Sequence, residues 1–250
     1  MKYRKLLIIL VLIALPSTGL IVLGQMHNRQ DLNAFMKEHY GKFDTENKCW
    51  VKDDEDLHYV VCASQDIEIN GEPHSMIAVC GEVPDDLKSH AACGYVDLYV
   101  MKRSFTGMAP VAKLTGIESG SFGIPGSVSV VQLGKQFYGF TEEGGYSGQG
   151  YTNGYMTIYV PVGRSFHKAL RFSTVADDSG VYHEDDQENH TSLERNIEFI
   201  PRKGSNVSAA RITSSGYYDG ERISTVHILT FNLKKHEYRL PKDFNADVGF

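Results

Sequence analysis

The residues with the most chemical potential lie between Phe137 and Val160, a stretch crowded with tyrosine and glycine. Tyr146 and Tyr151 stand among glycines there, and Glu142 and Glu143 precede them. Tyrosine offers a large contact area at low entropic cost together with one hydroxyl, which suits recognition of a protein surface or the face of a sugar. Glu142 and Glu143 are carboxylates of the kind that cleave glycosides. Adjacent strand residues point to opposite faces, however, so the two are poor partners across one bond.

A second group is the acidic run from Asp177 to Asn189, in which Asp177, Asp178 and Asp185 are a calcium candidate. It lacks the D-x-D-x-D-G order of a dedicated calcium loop and also reads as a solvated connection. No other cofactor is expected. The histidines are scattered without H-x-H or H-E-x-x-H, and His183 and His190 could join Asp177 around zinc only if the fold gathered them. The serines of GIESGSFGIPG and GYSGQG sit in glycine-rich turns without the G-x-S-x-G of a nucleophile elbow. Chemistry is therefore less supported than binding.

Cys49, Cys62, Cys80 and Cys93 lie early in the chain, in an even number and without C-x-x-C spacing. In an exported protein they read as disulfides rather than as metal ligands. A hairpin turning at Glu55-Asp56 would place Cys49 opposite Cys62, and a loop over Glu82–Ala92 would bring Cys80 to Cys93. The expected pairs are thus 49–62 and 80–93, each worth about 3 kcal/mol on the chain-entropy argument.

The elements that must position these groups follow from patterning. Lys2, Arg4 and Lys5 precede an apolar run, Leu6 to Leu15, and small residues occupy Val22-x-Gly24, so residues 1–24 read as an export signal. The 19 residues from Leu6 to Gly24 could also remain as an uncleaved inner-membrane anchor. In residues 25–48, Asp31 could cap a helix over Leu32–Tyr40, with Leu32, Phe35, Met36 and His39 on one stripe.

From Cys49 the period is two, and residues 49–250 read as one disulfide-stapled β domain. The expected class is all-β, an antiparallel sandwich or a duplicated sheet with one short N-terminal helix. Duplication is suggested by Gly94–Val100 (GYVDLYV) and Gly154–Val160 (GYMTIYV), which begin matching segments over 94–105 and 154–166. Each copy has a tyrosine face and an aliphatic face, and the aliphatic face is expected to turn inward.

Removing the three basic residues of the signal takes the net charge from −6 to −9. An acidic surface disfavours nucleic acid and anionic membrane as partners. Membrane contact is expected only through an uncleaved N-terminus. The sequence thus implies a periplasmic or secreted protein of a bacterial envelope that recognises another protein without catalysis. An inhibitor or immunity protein against a toxic envelope enzyme would fit. The alternatives are a carbohydrate-binding or carbohydrate-active protein using the tyrosine loop, and a hydrolase whose site forms only in three dimensions.

Overall fold

Alternating side chains from Lys42 onward pair into antiparallel sheets in a computed structural model that describes residues 30–53, 56–105, 107–182, 190–218 and 220–249. The first sheet runs in chain order through β1 (Lys42–Asp44), β2 (Cys49–Val51), β3 (His58–Ile69), β4 (Glu72–Glu82), β5 (Gly94–Ser104) and β6 (Gly107–Ser119). The second contains β7 (Ser127–Gly134), β8 (Phe137–Gly148), β9 (Tyr151–Val162), β10 (Ser165–Asp177), β11 (Ser192–Ile200), β12 (Ala209–Tyr218) and β13 (Glu221–Leu229). A small ribbon, β14 (Phe231–Asn232) with β15 (Glu237–Tyr238), follows. The expected all-β sandwich with a helix near its N-terminus is the fold observed. Residues 1–24, expected to be an export signal, lie outside the described residues. Among those described, no helix is long and apolar enough to cross a membrane.

Helix α1 spans residues 30–40 as described, so Asp31 lies within it rather than capping it. Phe35, Met36 and Tyr40 are buried on the outer face of the first sheet, against Tyr59, Ile77, Val79, Tyr99 and Met101. Tyr40, four residues after Met36, is buried with the stripe, whereas His39, four residues after Phe35, lies at its exposed edge. His39 is exposed and stacks on Phe35 with ring centres 4.5 Å apart. The Tyr40 hydroxyl donates to Asp97 Oδ2 (2.7 Å) and shares a hydrogen bond with the Tyr99 hydroxyl (2.7 Å). Burial, then Asp97, pushes the Tyr40 phenol pKa far up.

The inner face of the first sheet, carrying Met76, Val96, Leu98 and Val100, packs on Val128, Phe140, Tyr159 and Phe166 of the second. Strand β6 lies against β10, where the Lys113 N–H donates to the Arg164 carbonyl (3.1 Å). A second core lies behind β7–β10. Met156, Ile158, Val160, Leu170 and Phe172 there meet Ala210, Ile212, Leu229, Tyr238 and Phe244. Strands β10 and β11 pair only over Val175–Asp177 and Ser192–Glu194. Beyond that point the C-terminal segment takes over: the Ser173 N–H donates to the Ala246 carbonyl (2.8 Å), and the Val248 N–H to the Ser173 hydroxyl (2.9 Å).

The two similar segments fall on β5 and β9, but their equivalent faces point differently. The aliphatic face of β5 enters the core between the sheets, whereas that of β9 enters the second core. Tyr99 packs under α1, while Tyr159 points into the core between the sheets. The inward-aliphatic expectation therefore holds for β5. In β9 both faces are buried, because its layer has a core on either side.

The disulfide pairing differs from expectation. The bond joins Cys62 to Cys80 (Cα–Cα 5.7 Å), and Cys49 and Cys93 are free. Registers Val51↔His58 and Trp50↔Tyr59 are displaced two residues from the expected hairpin, so Cys62 lies past the end of β2. Cys62 instead occupies a bulge between Val61 and Ala63 and reaches Cys80 on β4. Register Cys80↔Val96 carries Cys93 beyond the reach of Cys80. Non-reducing peptide mapping should recover a Cys62–Cys80 link, with Cys49 and Cys93 alkylated after unfolding. Reduction should cost about 3 kcal/mol of stability. A 49–62 or 80–93 link would contradict these registers.

Candidate functional site

Successive connections in an up-and-down sheet alternate between its two ends. The β4–β5, β6–β7, β8–β9, β10–β11 and β12–β13 connections share one end, and the aromatic residues collect there. Tyr217 and Tyr218 are at the β12 tip (45% and 38% exposed), and Tyr182 lies in the β10–β11 connection (36%). Leu87, Ile124 and Val181 are exposed at the same end. The opposite turns, such as Asn70-Gly71, Lys135-Gln136 and Gly163-Arg164, are polar, with Phe105 the exposed exception.

The expected tyrosine loop over Glu142–Gly154 is not a loop. Strands β8 and β9 continue to a two-residue turn, Gln149-Gly150, with φ of 55° and 85°, the positive pair of a type I′ hairpin. The glycines stay in the strands because tyrosine rings fill their places. A Cβ on Gly144 would lie 2.5 Å from the Tyr155 hydroxyl, and one on Gly148 2.2 Å from that of Tyr146. Tyr146 is half-buried and stacked on Phe122 (6.3 Å), whose other neighbour is the exposed His90 (4.5 Å). Tyr151 is half-buried beside the turn.

Phe122 is held in a tight turn in which Ser121 and Ile124 exchange N–H···O bonds of 3.2 and 3.0 Å. Its φ is +57°, a left-handed conformation that costs a bulky side chain about 1–3 kcal/mol. Gly123 anchors the turn to the neighbouring connection, donating to the Ala92 carbonyl (2.8 Å) and accepting from the Val83 N–H (2.9 Å). Between this turn and the β8–β9 hairpin lies a cleft of about 600 Å³, with Phe122, Ile124, Pro125, Gly145, Tyr155 and Thr174 in its walls. Arg171 stacks on the Tyr155 ring at 3.9 Å.

Glu142 is below this surface, not on it. It is 1% exposed and accepts a short hydrogen bond from the Ser119 hydroxyl, which in turn accepts from the Gly126 N–H (2.9 Å). Glu143 is exposed and faces the other way, as adjacent strand residues must. Ser119 therefore pairs with a carboxyl rather than an imidazole, and its burial makes it a structural hydroxyl.

Asp177 accepts from the Ser179 N–H (2.9 Å) and hydroxyl (2.6 Å). Burial alone would raise its pKa, but these bonds and one from Ser192 hold the carboxyl below its usual range. Asp178 accepts from the Thr191 N–H (2.7 Å). Both expected calcium ligands are thus engaged in shaping the connection, and Asp185 and His183 lie outside the described residues. Among the described residues no three His, Cys, Asp or Glu side chains converge on a metal position.

Sequence reasoning singled out Tyr146 and Tyr151, and it did not single out Phe122, Tyr182, Tyr217 and Tyr218 at the same end. Counting turns would have found them, since each lies on a connection of the same parity as the β8–β9 tip. No known protein family, curated protein or solved structure matches the chain.

Burial, then Glu142, pushes the Tyr159 phenol up to about 12, with Arg171 opposing; burial likewise pushes Tyr99 up to about 12. A raised phenol pKa favours the neutral folded form. Stability is then fully present below the unfolded value of 10.0 and declines as pH rises toward 12. Thermal melts should show this fall, and it should be smaller in Tyr159→Phe. An identical fall in the variant would contradict the burial of that phenol.

Proposed function

We propose that the chain is an exported, non-catalytic envelope protein that recognises another protein through its tyrosine-bearing end. The supporting observation is the gathering of Tyr146, Tyr151, Tyr182, Tyr217, Tyr218 and Phe122 at one end of the sandwich. Tyr182, Tyr217 and Tyr218 are exposed and Phe122, Tyr146 and Tyr151 half-buried at this end, and aromatic residues are enriched in protein interfaces. Strands hold the display in place, so little ordering entropy opposes binding.

Export is supported by the Cys62–Cys80 disulfide, which belongs to an oxidising compartment, and by the signal-like residues 1–24. Among the described residues the buried Ser119 meets a carboxyl rather than an imidazole, and Glu142 and Glu143 diverge, which supports binding over catalysis. An acidic, stapled scaffold with an aromatic end suits an inhibitor or immunity protein that blocks a toxic envelope enzyme. Cations on that enzyme would favour encounter.

The test is affinity capture of the tagged protein from the envelope of its native cells, followed by binding measurements on the purified partner. Tyr217→Ala and Tyr218→Ala should each weaken binding by about 2 kcal/mol, roughly thirtyfold, with thermal stability retained. Undiminished binding in both variants, or capture of polysaccharide instead of protein, would contradict the proposal.

A further inference from the structure

Arg195 is a charged side chain buried where no carboxylate among the described residues pairs with it. Strand registers set Arg195 on β11 opposite Ser214 on β12, and Ser214 opposite Thr225 on β13. On the same face Leu193 and Ile223 lie on one side of this polar row, and Ile197, Ile212 and His227 lie on the other. The C-terminal segment covers the face. Arg195 is only 9% exposed, and its guanidinium carbon lies 4.9 Å from the Phe244 ring.

Its Nη1 donates to the Ser173 and Ala246 carbonyls at 3.3 and 3.4 Å, while its buried Nε has no acceptor. No carboxylate among the described residues is within ion-pairing distance of Arg195. Asp243, in the same wall, pairs with His227 Nε2 at 3.5 Å and is 79% exposed. A buried cation met by one aromatic ring and two long carbonyl contacts is costly, and such groups are normally neutralised by an opposite charge. A cavity of about 330 Å³ adjoins this group, within the range of small-molecule sites.

We propose that this cavity binds a small monocarboxylate with an apolar body. The guanidinium fork matches the two oxygens of a carboxylate, and the Ser214 and Thr225 hydroxyls flank it. Leu193, Ile223 and Val248 in the walls suit an aliphatic remainder. One cation with neutral hydroxyls fits one negative charge better than the higher charge of phosphate.

The test uses the full chain with hexanoate, hexanol and inorganic phosphate at equal ionic strength, read by thermal shift and calorimetry. Hexanoate should raise Tm saturably, as a ligand of the folded state does, and the other two should not. Arg195→Met should abolish the response, and Arg195→Lys should weaken binding about tenfold or more because the fork is lost. Ser214→Ala, a small change that leaves the cation in place, should weaken hexanoate binding severalfold. Equal effects of hexanol and hexanoate would reduce the site to an apolar hole and overturn the proposal. So would a matching response to phosphate, or a hexanoate response that survives in Arg195→Met and in Ser214→Ala.

Discussion

The Ser119–Glu142 hydrogen bond joins the last residue of the first sheet to the middle of β8 in the second. Both side chains are buried, and the same serine hydroxyl receives the Gly126 N–H at the entrance to β7. The connection from 120 to 126 is therefore fastened at both ends to one buried oxygen. A carboxyl deprived of that donor would stay buried and unsatisfied, at a cost of about 1–3 kcal/mol. Phe122, with its cleft and its stack on Tyr146, lies on the connection so fastened, and Gly123 ties the same connection to Ala92 and Val83. The joint also explains a glutamate in a position that the pattern of β8 would give to an apolar residue.

Around this joint the molecule is layered. Helix α1 covers the outer face of the first sheet, β7–β10 form the middle, and β11–β13 with the C-terminal segment cover the far side. The middle strands must bury both faces, so each polar group on them needs a partner within the protein. Tyr159 and Glu142 meet that demand on one face. Where β10 parts from β11, the C-terminal segment supplies hydrogen bonds that the sheet no longer provides. That parting also leaves Arg195 under the segment, donating to the Ser173 and Ala246 carbonyls.

Much of this was legible in the residues. Period-two alternation gives the strands, Gly220 marks the β12–β13 turn, and the Phe35–Met36 spacing marks the buried side of α1. What was not legible has physical causes. A two-residue difference in the β2–β3 register and a bulge at Cys62 redirect the disulfide, and neither leaves a composition signal. Gly144 and Gly148 look like loop residues because glycine usually marks turns. Here they make room for tyrosine rings inside a hairpin. Ser119 and Glu142 are 23 positions apart and belong to different sheets, so only the packing of the two sheets brings them together.

Hydrogen exchange on Ser119→Ala tests most directly whether this joint holds the tyrosine-bearing end. Amides of residues 120–126 and of the adjoining β8 should exchange about ten- to a hundredfold faster than in the wild type, matching the lost bond. Amides of β4 and β5 beneath α1 should keep their protection. Unchanged exchange over 120–126, or a uniform acceleration along the whole chain, would show that the tyrosine-bearing end does not hang on the Ser119–Glu142 bond.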